Sequence, residues 1–122
     1  MPDRPTSDPK QFIQSAPVLQ VADVIETTDY YRNILGFDCD FVSPEYGVVW
    51  RDNVAIHFGR SEEIQKAARL FLWLIDVDRY YQEILQRGAH ISIEIADRDY
   101  KIRDFGVEDI NGAILIFGQD IY

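Results

Sequence analysis

The sequence predicts an α+β chain of two tandem βαβββ modules whose curved sheets surround a cleft. Three observations lead there. Hydrophobic patterns run β-α-β-β-β twice along the 122 residues. Two segments recur in matching order. Tyr30-Tyr31-Arg32-Asn33-Ile34-Leu35 matches Tyr80-Tyr81-Gln82-Glu83-Ile84-Leu85 at an offset of 50, and Ile56-His57-Phe58-Gly59 matches Leu115-Ile116-Phe117-Gly118 at an offset of 59. The unequal offsets require an insertion. Finally, one helix covers one face of a small sheet and leaves the other apolar, and two modules can turn those open faces together. The length fits one such domain. The expected organisation is an N-terminal arm over 1–14, a first module over 15–60, a linker helix over 61–69 and a second module over 70–122.

The elements follow in order. Residues 1–14 carry three of the five prolines and read as a loose or dimer-wrapping arm. Ala16–Ala22 is a buried strand. Asp23–Leu35 has helical spacing and stops at Gly36. Phe37–Val42 alternates as a half-exposed strand, and Ser43-Pro44-Glu45 turns the chain. Tyr46–Arg51 and Val54–Phe58 are strands joined by a two-residue turn, Asp52-Asn53. Ser61 is placed to cap a short helix over Glu62–Ala68. Leu70–Ile75 is a strand, Asp78–Gln86 a helix before Gly88, and Ile91–Ala96 a strand. Ile102–Glu108 and Ala113–Phe117 complete the second set, across the turn Asp109–Gly112. Trp50 and Trp73 lie within strands and read as packing residues.

Composition excludes several functions. With 47% hydrophobic and 13% aromatic residues, a chain of this size buries roughly two thirds of its extended surface and need not be disordered. The 21 acidic against 12 basic side chains give a net charge of -9, which argues against nucleic acid and anionic lipid. The charge serves solubility alone, or it favours a cationic or neutral partner. No apolar run is long enough to span a bilayer, and the N-terminus lacks the core of a secretory signal. Cys39 is the only cysteine, so a reducing cytoplasm is the expected location. Asp38 and Asp40 flank it and disfavour its thiolate.

The run Tyr100-Lys101-Ile102-Arg103-Asp104-Phe105-Gly106-Val107-Glu108-Asp109-Ile110-Asn111-Gly112 carries a resemblance. It is similar to the "YGxREFxVxDPDG" signature of the vicinal-oxygen-chelate superfamily, with Ile110 at the usual proline. That superfamily includes glyoxalase I, extradiol dioxygenases, and fosfomycin- and bleomycin-resistance proteins. Ala16-Pro17-Val18-Leu19, Asp23-Val24, Tyr31-Arg32, Leu35-Gly36-Phe37, Asp40-Phe41 and Gly47–Val54 resemble bleomycin-resistance proteins more closely. The resemblance spans about residues 15–119.

The resemblance implies four positions at which the superfamily's enzymes place His, Glu or Gln on a divalent metal. They fall here on Ala16, His57, about Leu70, and Ile116. Catalysis needs at least three converging donors with open positions for substrate. Three of the four are apolar, so neither a metal nor another cofactor is expected, and no catalytic residue is assigned. His57 is either a neutral imidazole satisfied by a hydrogen bond or a polar contact to a ligand. A general-base role needs a second titratable partner, which the sequence does not supply.

Bleomycin-resistance proteins, as the resemblance implies, are non-catalytic dimers that sequester a cationic glycopeptide at the subunit interface. Their stacking aromatics correspond to Tyr46 and Tyr100, and Phe41 matches a cleft-wall position. Asp38, Asp40, Glu45, Asp97, Asp99 and Asp104 cluster in sequence near these rings. Carboxylates steer a flat cation and aromatic faces stack on it. The expected ligand-binding set is Tyr46, Tyr100, His57, Phe41, Asp40 and Asp104, in a homodimer. The alternatives are a superfamily enzyme with an atypical or absent metal, and a ligand-sensing accessory protein.

Overall fold

The computed structural model describes residues 11–63 and 68–121. It divides into two compact units, Met1–Gln65 and Lys66–Tyr122. The first holds β1 (Val18–Val21), α1 (Val24–Asn33), β2 (Asp38–Val42), β3 (Tyr46–Arg51) and β4 (Val54–Arg60). The second holds β5 (Arg69–Trp73), α2 (Val77–Gln86), β6 (Ile91–Asp97), β7 (Ile102–Glu108) and β8 (Ile114–Asp120). The α+β class and the doubled βαβββ order are therefore as the sequence predicts.

Each sheet is mixed. Their strand orders are β1-β4-β3-β2 and β5-β8-β7-β6, with the first strand of each module parallel to the last. The helix of each module supplies the crossover that a parallel pair requires.

The helices share one construction. Asp23 caps α1 by accepting from the Glu26 amide at 2.9 Å, and Asp76 caps α2 by accepting from the Arg79 amide at 3.1 Å. Gly36 and Gly88 follow the helix ends at φ 76° and 93°, in the left-handed region that favours glycine. Val24, Thr27, Thr28 and Tyr31 form the buried stripe of α1, and Val77, Tyr80 and Ile84 that of α2. Tyr31 packs on Phe58 at 4.8 Å between ring centroids, and Tyr80 packs on Phe117 at 4.9 Å.

These caps correct the phase of the repeat. Asp23 corresponds to Asp76, and Leu19 opposite Phe58 corresponds to Leu72 opposite Phe117. The β1-α1 segment therefore recurs 53 residues on, since 76 − 23 and 72 − 19 agree. The match at offset 50 is out of phase by nearly one helical turn. An amphipathic helix repeats its face every three to four residues, so a Tyr-Tyr and Ile-Leu pattern can match one turn away. The offset of 59 between β4 and β8 stands.

Two other expectations meet limits. Of the linker helix expected over 61–69, residues 64–67 lie outside the described residues. Around them, Glu62 and Glu63 form a bend, and Arg69 already belongs to β5. The Ser61 hydroxyl accepts from the Glu63 amide at 3.2 Å and donates to the Glu63 carbonyl at 3.1 Å. Most of the arm also lies outside the described residues; of the rest, Gln14 donates through its side-chain amide to the Asn53 carbonyl, while Phe12 is exposed. Among the described residues no helix is long and apolar enough to cross a membrane.

Among the described residues one buried side-chain atom is left unsatisfied. The Thr28 hydroxyl oxygen has no hydrogen-bond partner although the residue lies on the buried stripe of α1. Valine has the same branching and nearly the same shape, without the desolvated hydroxyl. Thr28→Val should therefore raise the urea midpoint, by about 1 kcal/mol in free energy. An unchanged or lower midpoint would show that the hydroxyl is satisfied in solution.

Candidate functional site

Side-chain alternation gives each sheet a helix-covered face and a helix-free face. In the first module Leu19, Val21, Val49, Ile56 and Phe58 face α1 and are buried. Gly47 lies there too, since a Cβ on it would meet Thr28 and Val24. On the other face, cross-strand pairing sets Phe41, Val48, His57 and Val18 in one row across the four strands. Phe41 is 52% exposed, which an apolar ring in a core row would not be.

Tyr46 joins this face from the next row, opposite Gly59. Its ring lies over the glycine, whose Cβ would sit 3.8 Å from Tyr46 Cε1. The Ser43–Tyr46 turn delivers it there: the Ser43 amide donates to the Tyr46 carbonyl at 2.8 Å, and the Ser43 hydroxyl accepts from the Tyr46 amide at 3.2 Å. Tyr46 Oη lies 2.7 Å from His57 Nδ1, with the rings perpendicular and 5.5 Å apart. The hydrogen-bonded alternative for His57 thus has its partner in Tyr46, and Nε2 remains for another contact. Asp40 sits at the β-bulge between Cys39 and Phe41, half-buried.

In the second module Phe105, Val107, Leu115 and Phe117 face α2. The helix-free face carries Phe71 and Trp73 on β5, with ring centroids 4.7 Å apart. They are 42% and 57% exposed. Trp73 is thus a surface aromatic, contrary to its reading as a packing residue. The Leu70–Ile75 run is apolar at both alternations, so sequence does not tell which half is covered.

Asp104 and Tyr100 meet at the β6–β7 hairpin. Asp104 is buried, with Ala96 and Gly118 as its cross-strand neighbours. Its Oδ1 accepts from Arg98 Nε at 2.8 Å and its Oδ2 from the Tyr100 hydroxyl at 3.0 Å. The hydrogen bond to this carboxylate pushes the Tyr100 hydroxyl above its ordinary pKa, and burial and the carboxylate charge add to it. Nearby, hydrogen bonds from Arg103 hold Asp97 below the usual carboxylate range, and Arg103 also donates to Asp78 at 2.8 Å.

The six predicted residues therefore form two groups. Tyr46, His57 and Phe41 share one face of the first module, with Asp40 beside them on β2. Tyr100 and Asp104 are bonded to each other in the second. Sequence reasoning missed Arg98, whose only signal is its spacing of six from Asp104. It also missed the Phe71 and Trp73 pair.

The four metal positions can now be placed by register. His57 corresponds to Ile116. The offset of 53 carries Ala16 to Arg69, not to Leu70. Leu70 pairs with Leu115 and shares the helix side with Leu72, so it is not on the helix-free face. Alanine, arginine and isoleucine offer no metal donor beside His57, and among the described residues no group of three or more His, Cys, Asp or Glu could hold a metal ion. The residues present do not fit the superfamily's metal.

Comparison with solved structures identifies the architecture. A bleomycin-binding protein from bleomycin-producing Streptomyces verticillus, complexed with copper(II)-bleomycin, superposes with a TM-score of 0.76 at 22% identity, over 88% of this chain and 96% of that one. The chain has the vicinal-oxygen-chelate fold. The bleomycin resistance determinant encoded on the transposon Tn5 gives a TM-score of 0.78 at 19% identity, over 88% and 97% of the two chains. A glyoxalase-related enzyme from Clostridium phytofermentans gives 0.76 at 20% identity, over 94% and 100%. The vicinal-oxygen-chelate fold thus joins this chain to both binding proteins and glyoxalase-related proteins. No family model matches the sequence, and no curated protein matches it.

Proposed function

We propose that the protein is a non-catalytic small-molecule-binding protein that sequesters a cationic or aromatic ligand in a homodimer-interface cleft. The observation that carries the reading is what occupies the helix-free sheet faces. At the positions where the superfamily's enzymes need a set of metal donors this chain has a single histidine, His57. Exposed Phe41 stands in its row, half-buried Tyr46 is bonded to it, and Phe71 and Trp73 lie exposed on the sister face. Phe41, Phe71, Trp73 and Tyr100 are each more than two-fifths exposed. Singly scattered rings are ordinary on a surface, but Phe71 and Trp73 lie 4.7 Å apart, and adjacent exposed rings suit a binding face. The net charge of -9 adds attraction for a cation. Bleomycin-binding neighbours of the same fold make bleomycin the first compound to test.

Trp50 and Trp73 make the test direct, because both lie on helix-free faces. Titrating bleomycin should quench tryptophan fluorescence saturably, more strongly at low salt than at moderate salt, and Trp73→Phe should remove part of the quenching. No quenching up to high micromolar ligand would overturn the bleomycin-specific reading. A glyoxalase-related neighbour favours a second reading, an enzyme of atypical metal set. One tightly bound divalent ion per purified chain, with turnover in a glyoxalase or dioxygenase assay, would support that reading instead.

A further inference from the structure

We propose that Asp104 is a positioning residue: its buried carboxylate, neutralised by Arg98, fixes the ring of Tyr100 in the orientation that meets a ligand. This deepens the ligand-binding reading and rests on it. Asp104 was expected to attract a cation directly, but its geometry suits a different task. The residue is 4% exposed, and both of its oxygens accept hydrogen bonds from its own hairpin. Arg98 supplies the compensating charge and is itself held, its Nη2 donating to the Glu94 carbonyl at 2.8 Å. The ring of Tyr100 is the opposite case. It is 61% exposed, yet its hydroxyl is tied down.

The backbone adds to the tether. The Arg98 amide donates to the Ile102 carbonyl at 2.8 Å and the Lys101 amide to the Arg98 carbonyl at 3.1 Å, which closes the hairpin around Tyr100. Lys101 completes the turn at φ 67°. Opposite Asp104 on β8, Gly118 is covered by the Phe71 ring and Ile102, which a Cβ there would meet at 2.5 and 3.0 Å. An exposed tyrosine without such a tether samples several rotamers. Freezing one costs affinity by up to about tenfold on binding. Asp104 makes that selection before the ligand arrives.

A double-mutant cycle separates positioning from direct attraction. The probe is bleomycin, followed by tryptophan fluorescence on the full chain. Tyr100→Phe keeps the ring and removes the tether; Asp104→Asn removes the charged acceptor. Each should weaken binding by roughly five- to tenfold, and the double variant should be no weaker than the weaker single one. Equal additional losses from Asp104→Asn in both backgrounds would show that its charge acts directly and overturn the proposal. Unchanged binding in Tyr100→Phe would also overturn it.

Free protein supplies an independent readout, which Tyr100→Phe keeps available even if Asp104→Asn does not fold. Hα–Hβ scalar couplings at position 100 should report one χ1 rotamer in the parent chain and averaging in Tyr100→Phe. Averaged couplings in the parent would overturn positioning. A single rotamer in a parent chain that binds no bleomycin would remove the drug-specific reading while supporting the tether.

Discussion

Phe117→Ala lowers the stability of the second module by about 3–5 kcal/mol, the cost of emptying a packed aromatic site. Phe117 is 1% exposed on β8, between β5 and β7. Its ring stacks on Phe105 at 5.3 Å and meets Tyr80 of α2 at 4.9 Å. Removing it therefore separates the helix from the sheet and unsupports the neighbouring ring. The surrounding groups are stiff aromatic planes and β-sheet backbone, which collapse poorly into a void. Urea unfolding followed by circular dichroism measures the loss. Each module contains one tryptophan, Trp50 in the first and Trp73 in the second, so variants retaining one at a time report each module separately. A shift smaller than 1 kcal/mol at the Trp73 reporter would refute the packing argument.

Gly47→Val should cost about 1–3 kcal/mol in the first module, by overpacking rather than by a void. A Cβ at Gly47 would lie 2.8 Å from Thr28 Oγ1 and 2.9 Å from Val24 Cγ1. Both atoms sit on β-branched side chains of α1, one bond beyond Cβ, and cannot swing aside as a long side chain can. The helix itself must lift from β3. Gly59→Ala provides the control on the same sheet. Its Cβ would find nothing nearer than 3.8 Å, an ordinary contact with the Tyr46 ring. It should leave the Trp50-reported midpoint nearly unchanged. Equal losses at the two positions would mean that glycine is needed for the strands generally rather than for the approach of α1.

Much of this architecture is legible in the chain because local signals agree. Gly after each helix end and the Asp52-Asn53 turn each have one physical reason, and each is found, whereas the second helix starts at Val77 behind the Asp76 cap rather than at Asp78. What is illegible depends on tertiary choice. The Leu70–Ile75 run has apolar residues at every alternation, so the exposure of Phe71 and Trp73 depends on which side α2 covers. The phase of the helical repeat depends on the caps, since the Tyr-Tyr and Ile-Leu spacing matches equally well one turn away.

The site divides in the same way. Tyr46 and His57 are readable as neighbours once the hairpin is placed, because antiparallel register puts Val48 opposite His57 and Tyr46 one row along. Asp104 is not. A carboxylate in a hydrophilic stretch reads as exposed by default. Its burial is compensated by Arg98 and by the hydroxyl of Tyr100, which come together only in the folded hairpin.

The pairing of first strand with last has a consequence for synthesis. As the chain leaves the ribosome, β1 has no strand partner until β4 has followed it, because among the described residues Val18 to Val21 pair with His57 to Arg60 alone. The β3–β4 hairpin can form earlier from nearby residues, and its edge is then the template on which β1 docks. All strands of the first module are translated before those of the second, and β5 must then wait in turn for β8. Premature termination between β7 and β8 would thus leave the second sheet unclosed, with the apolar β5 segment unpaired and prone to aggregate.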